Sequence, residues 1–161
     1  MRPGRVKSAV RAALFGAALI AATGFAASQP GVIIIDDDYG GSVKTYVDWW
    51  GRVRESQIPV RFRGMCISAC TIGLSLPRAQ MCVEPTASFG FHLASDSAGA
   101  DEEFTRALIL RYYPRQVQEW LENRRLTLNR LIFMSASEVV QLGIMPACTA
   151  ASSGQGGEGQ I

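Results

Sequence analysis

The chain has 161 residues with 16 basic and 14 acidic side chains, a single histidine and four cysteines. That length gives one domain's worth of core, and the near-balance of charge excludes a nucleic-acid binder built on a broad basic face. What basic excess exists sits at the start: without residues 1–26 the count becomes 12 basic against 14 acidic, a net charge of −2.

Four basic residues, Arg2, Arg5, Lys7 and Arg11, precede an apolar run from Ala12 to Ala27, and small residues follow. This is the three-part pattern of a secretory signal peptide. The run is shorter than the roughly 20 residues a comfortable bilayer span needs. Residues 1–26 are therefore expected to be a leader, and the rest a periplasmic or secreted protein with no stable membrane span. An uncleaved anchor is the alternative.

From residue 27 the pattern alternates strand and helix. "GVIII" reads as a short buried strand that runs through acids into Gly40-Gly41. "SVKTYVDWWGRVRESQ" spaces Val43, Val47 and Trp50 three or four apart, as one helical face requires. "IPVRFRG" is a strand, "ISACTIGLSL" a buried helix starting near Ser68, and "AQMCVEP" and "ASFGFHLA" are extended. A loop then leads to a helix headed by Asp101, Glu102 and Glu103, where the helix dipole favours acids. Pro114 interrupts that helix. Ser135 and Glu138 stand in capping-box register before a final helix that stops at Gly143, and "IMPAC" closes as a strand. Residues 150–161 are low-complexity and expected to be a disordered tail. Residues 27–149 thus predict an α/β domain with a short, mostly parallel sheet flanked by helices, whose site lies at the C-terminal ends of the strands.

All four cysteines follow the leader: Cys66, Cys70, Cys82 and Cys148. An even number in an exported chain suggests disulfides, with three pairings open. Zinc is a weak rival, because Cys-x3-Cys has no second close pair and the one histidine stands ten residues beyond Cys82. A thiol-redox role for Cys66 and Cys70 lacks the usual Cys-x-x-Cys spacing. Nothing predicts a metal or an organic cofactor.

Ser68, at a strand-to-helix turn, is placed to act as a nucleophile. The Ala69 amide on the first helical turn and the Gly41 amide on a neighbouring loop could hold an oxyanion, and His92 is the one histidine able to serve as base. A plainer reading makes Ser68 a helix cap, Gly40-Gly41 an ordinary turn and His92 a core residue. Trp49, Trp50, Tyr112, Tyr113 and Trp120 at helical spacing read as core.

The ordered set "GGSV", "IPVRFRGMCISACTIGLSLPRAQMCVEPTASFGFH" and "FMSASEVVQLGIM" resembles the Clp protease proteolytic subunit and signal peptide peptidase A superfamily, the ClpP/crotonase fold. It shares a Gly-Gly turn, a small-Ser-small turn, a proline seven residues before a histidine, and a C-terminal S-A-x-E-x-x-x-x-G helix. The resemblance implies peptide hydrolysis through an acyl-enzyme, with Ser68 as nucleophile, His92 as base, and Gly41 and Ala69 as oxyanion donors. It also implies a homo-oligomer, a cross-link between Cys82 and Cys148, and Cys66 and Cys70 left to pair locally or stay reduced. The departures are specific. "D-D-Y-G-G" stands where the family has "N-S-P-G-G", and the family's opening strand and helix are missing, so an N-terminally truncated sheet is expected. "RLTLNRLI" offers Asn129 but no carboxylate as third member, with Asp96 the lesser candidate. Lys44, the lysine nearest the Gly-Gly turn, gives little support for a lysine dyad. The expected function is an exported serine-hydrolase-like protein acting on peptide, and the alternative is a non-catalytic binding or scaffolding module on the same fold.

Overall fold

A computed structural model describes residues 31–96 and 99–149, so the expected leader and the tail lie outside the described residues. The chain runs β1 (Ile33–Ile35), α1 (Val43–Ser56), β2 (Val60–Phe62), β3 (Met65–Ile67), a 3-10 helix (Ser68–Ser75), a 3-10 turn (Arg78–Gln80), β4 (Met81–Val83) and β5 (Ser88–Phe91). A small hairpin follows, β6 (Ser95–Asp96) and β7 (Gly99–Ala100), then α2 (Glu102–Tyr112), α3 (Arg115–Glu122), β8 (Ile132–Ser135) and α4 (Ala136–Gln141).

The protein is α/β, as expected, but the strands divide between two three-stranded sheets. One has the order β1-β2-β4, all parallel. The other is β3-β5-β8, with β3 parallel to β5 and β8 antiparallel. The division falls at Arg63-Gly64. The amides of both residues donate to the Ile35 carbonyl, at 2.8 and 3.2 Å, so the chain turns tightly about one acceptor. A side chain at position 64 would put its Cβ 1.4 Å from the Asp36 carbonyl oxygen, and only glycine fits there. β2 and β3 are therefore one passage of chain bent into two sheets. The first strand follows the bend, since Asp38 pairs in parallel with Cys66.

The core lies between the sheets and the helices. Trp50 on α1, Phe62 on β2 and Phe89 on β5 are fully buried and form a run of rings with centroids 6.0 and 5.2 Å apart. Val139, Met134 and Met145 close it from the C-terminal end. α4 opens on the capping box predicted for it, with the Ser135 and Glu138 side chains each accepting from the other's backbone amide.

Four readings of the sequence need correction. "ISACTIGLSL" starts as strand β3 and continues as a 3-10 helix, not an α-helix. Residues 69–74 are buried on every side, so their pattern carried no period. Residues 132–135 are a strand and residues 95–100 include a hairpin, neither expected. These strands span two to four residues, too short to show alternation. "IMPAC" makes only a single bridge, Ala147 to Val83.

Candidate active site

Ser68 follows the last residue of β3 with φ at +56°, one of two side-chain-bearing residues with positive φ among those described. The left-handed region costs such a residue about 1 to 2 kcal/mol, so the surroundings must impose it. Two restraints are visible. A disulfide joins Cys66 to Cys70, two residues either side, with Cα atoms 5.3 Å apart. The Thr71 hydroxyl donates to the Ser68 carbonyl at 2.5 Å. With its one proton spent there, Thr71 accepts from the Tyr113 hydroxyl at 2.6 Å. Burial pushes the Tyr113 phenol up to about 12, which keeps it a donor.

The Gly-Gly turn is tied to the same strand. The Asp38 amide donates to Met65 and its carbonyl accepts from Ile67, each at 2.8 Å, which fixes this segment beside β3. Its carboxylate oxygen Oδ1 accepts from the Gly40 amide at 2.8 Å and from the Tyr46 hydroxyl at 2.5 Å. Burial first, then the Asp38 carboxylate, raise the Tyr46 phenol above its ordinary value, so it too remains a donor. Gly40 has φ at +79°, and a Cβ there would stand 2.5 Å from the Ile67 carbonyl, 2.8 Å from Ser68 Cβ and 2.9 Å from the Ala69 nitrogen. The missing side chain thus leaves open the space over the Ala69 amide. That amide is second in the 3-10 helix, where backbone donors lack an intrahelical partner. The Gly40 amide is engaged by Asp38, whereas the Gly41 amide makes no hydrogen bond among the described residues.

His92 comes directly after β5 and is half-buried. Its Nδ1 lies 2.6 Å from the Leu93 carbonyl oxygen. A carbonyl can only accept, so this bond places the proton on Nδ1 and leaves the Nε2 lone pair to accept one. Thr105 on α2 holds the same segment, accepting from the Ala94 amide at 2.8 Å and donating to the Asp101 carbonyl at 2.6 Å.

Ser68, Ala69 and His92 line one cavity of about 50 Å³, otherwise walled largely by apolar side chains, with no carboxylate and no lysine in its lining. No hydrogen bond joins Ser68 to His92 among the described residues. Asn129 does not line this cavity. It is exposed; its segment reaches the cavity through Leu126 and is tied to the residue after His92 by the Thr127 carbonyl, which accepts from the Leu93 amide at 3.2 Å. The Leu93 carbonyl occupies the imidazole position that Asn129 was expected to fill. Asp96 lies in the β6–β7 hairpin, and Lys44 is on the exposed face of α1, paired with Asp48 at 2.7 Å. The sequence reading missed Asp38, Thr71 and the hydrogen-bonding part of Tyr113. Asp38 left a signal, an acid two residues before a glycine, which is the spacing of an Asx turn. Thr71 and Tyr113 left none, being 42 residues apart.

All four cysteines are bonded. Cys82 on β4 joins Cys148 across a sequence separation of 66, the pairing implied by the family resemblance, and Cys66–Cys70 is the local pair. No family model and no curated protein matches this sequence. Among solved structures, a protein described only as an enzyme is similar with a TM-score of 0.46 at 14% identity, covering 71% of this chain and 73% of its own. A ClpP1 mutant from Listeria monocytogenes is similar with a TM-score of 0.44 at 18% identity, covering 74% of each chain. Likeness of this size carries no chemistry, and the reading of the site rests on its own geometry.

Proposed function

We propose that this protein is an exported serine hydrolase of the ClpP/crotonase type, acting on peptide or a related acyl substrate with Ser68 and His92. The observation that carries the reading is Ser68 itself. A serine held in a left-handed turn at the end of a parallel strand shares a cavity with an imidazole whose free nitrogen is an acceptor. Strain of this kind collects at functional positions, and an ordinary helix cap needs none of it.

In the proposed reaction the Ser68 hydroxyl attacks the substrate carbonyl carbon while His92 Nε2 takes its proton. The Gly41 and Ala69 amides receive the tetrahedral oxyanion. Collapse expels the leaving amine or alcohol with the proton from His92, giving an acyl-enzyme. Water, deprotonated by the same imidazole, then releases the acid and restores Ser68. The Leu93 carbonyl stands where a carboxylate usually orients the base. It fixes the tautomer but carries no full charge to stabilise the imidazolium, so slow turnover is expected.

Export is proposed from the leader pattern and is supported by two disulfides, which persist in oxidising compartments. Among the described residues no helix is long and apolar enough to cross a membrane. The second reading, a binding or scaffolding module without catalysis, is favoured by the absence of a Ser68–His92 hydrogen bond. Turnover of activated esters and short peptides separates the two. Hydrolysis above background that disappears in both Ser68→Ala and His92→Ala supports the enzyme. Activity at background, or equal in the variants, supports the module.

A further inference from the structure

On the far side of Tyr113 lies a second depression, a cleft of about 500 Å³ that shares only that tyrosine with the Ser68 cavity. Three arginines from three separate segments line it: Arg54 near the end of α1, Arg78 on the 3-10 turn before β4, and Arg111 in the last turn of α2. No aspartate or glutamate is in the lining. Elsewhere on the described surface Arg61, Arg63, Arg115 and Arg124 each pair with a carboxylate at 2.9, 2.6, 2.6 and 3.9 Å, while Arg52, Arg106, Arg125 and Arg130 stand without an ion pair but do not line this cleft. Arg54, Arg78 and Arg111 have no ion-pair partner among the described residues.

Two of the three guanidinium groups are already held. Arg54 donates through one terminal nitrogen to the Ser75 carbonyl at 2.7 Å and to its hydroxyl at 3.0 Å, which leaves its other donors free. Arg111 lies over the Tyr112 ring, 5.4 Å from its centroid. Like charges gathered without counter-charges repel one another, and an anion relieves that repulsion. A phosphate dianion offers three strong acceptor oxygens and about two charges, which suits three planar donors better than a single carboxylate does. The volume is that of a small-molecule site, with Tyr112, Pro114 and Ile144 as an apolar wall for the body of the ligand.

We propose that the Arg54–Arg78–Arg111 cleft binds a phosphorylated small molecule, its phosphate seated among the three guanidinium groups. The proposal is independent of hydrolysis at Ser68. Calorimetric titration of inorganic pyrophosphate into the full, oxidised chain tests it, with citrate at matched ionic strength as the carboxylate arm. The expected result is saturable one-to-one binding of pyrophosphate, tighter than citrate. Arg78→Gln combined with Arg111→Gln should weaken it on the order of 100-fold, from the loss of two charge-assisted hydrogen bonds. Both side chains are exposed, so the fold is expected to tolerate the change. Arg106→Gln with Arg125→Gln removes the same charge from a different groove, which Glu102 and Glu122 also line, and should leave binding intact. No saturable binding, citrate binding as tightly as pyrophosphate, or equal loss in the two double variants overturns the proposal.

Discussion

At position 68 the backbone stands where a side chain is disfavoured, and this makes a separable prediction about stability and chemistry. Glycine meets no left-handed penalty, although it adds freedom to the unfolded chain. Ser68→Gly should therefore be as stable as the parent by urea unfolding, or up to about 1 kcal/mol more stable, while losing all nucleophilic reactivity. Ser68→Val, branched at Cβ, should lose about 2 kcal/mol or more. A large destabilisation by glycine would mean that the hydroxyl is structural. Gly40 makes the converse case. Its Cβ would collide with the Ile67 carbonyl at 2.5 Å, and its φ of +79° is unfavourable for alanine. Gly40→Ala should cost about 2 kcal/mol or more and push the Gly-Gly turn away from the Ala69 amide, a loss visible in the same denaturation curve. The residues at this scale were partly legible. Ser68, His92 and the glycine pair stood out because their types are chemically telling. Thr71 and Tyr113 did not, because they meet only when α2 packs over the 3-10 helix. Asn129 was read from its place in the chain, and the fold turns it to solvent.

The elements divide the work of stabilisation from that of positioning, and the disulfides show it. The Cys82–Cys148 bond, with a sequence separation of 66, closes a long loop and ties the last segment to β4. On loop-entropy grounds it contributes about 4 kcal/mol, against about 2 kcal/mol for the short Cys66–Cys70 loop. Replacing the first pair with alanine should therefore cost more stability. Replacing the second should cost less stability but more Ser68 reactivity, since it brackets that turn. Urea unfolding and active-site labelling of the two double variants should show this crossed pattern. α4 makes a prediction about pH. The Ser135 amide holds the Glu138 carboxyl below the usual carboxylate range, helped by the Ser135 hydroxyl, Trp120 and Arg124 against partial desolvation. A carboxyl whose folded pKa is depressed contributes stability above its unfolded pKa, about 4.5, and loses it as pH falls through the lower folded value. Glu138→Gln should flatten that part of the acid-unfolding profile, and Ser135→Ala should cost about 1 kcal/mol at neutral pH. The capping box was legible as a spacing of three residues, whereas β8 immediately before it was not.

For the whole molecule, alternation of strand and helix was enough to give the α/β class, but not the split into two sheets. That split depends on Gly64 reaching the Asp36 carbonyl, a contact across 28 residues that no local pattern records. The same bend carries β3 away from β2 and brings the end of β3 beside β5, so it is what sets Ser68 and His92 on one cavity. The central claim is that this shared cavity makes Ser68 a nucleophile. Intact-mass and peptide mapping after treatment with a fluorophosphonate tests that claim most directly. The expected result is a single adduct on Ser68 that is lost in Ser68→Ala and forms far more slowly in His92→Ala. No adduct on the folded, oxidised protein, or one that persists in either variant at the parent's rate, contradicts it.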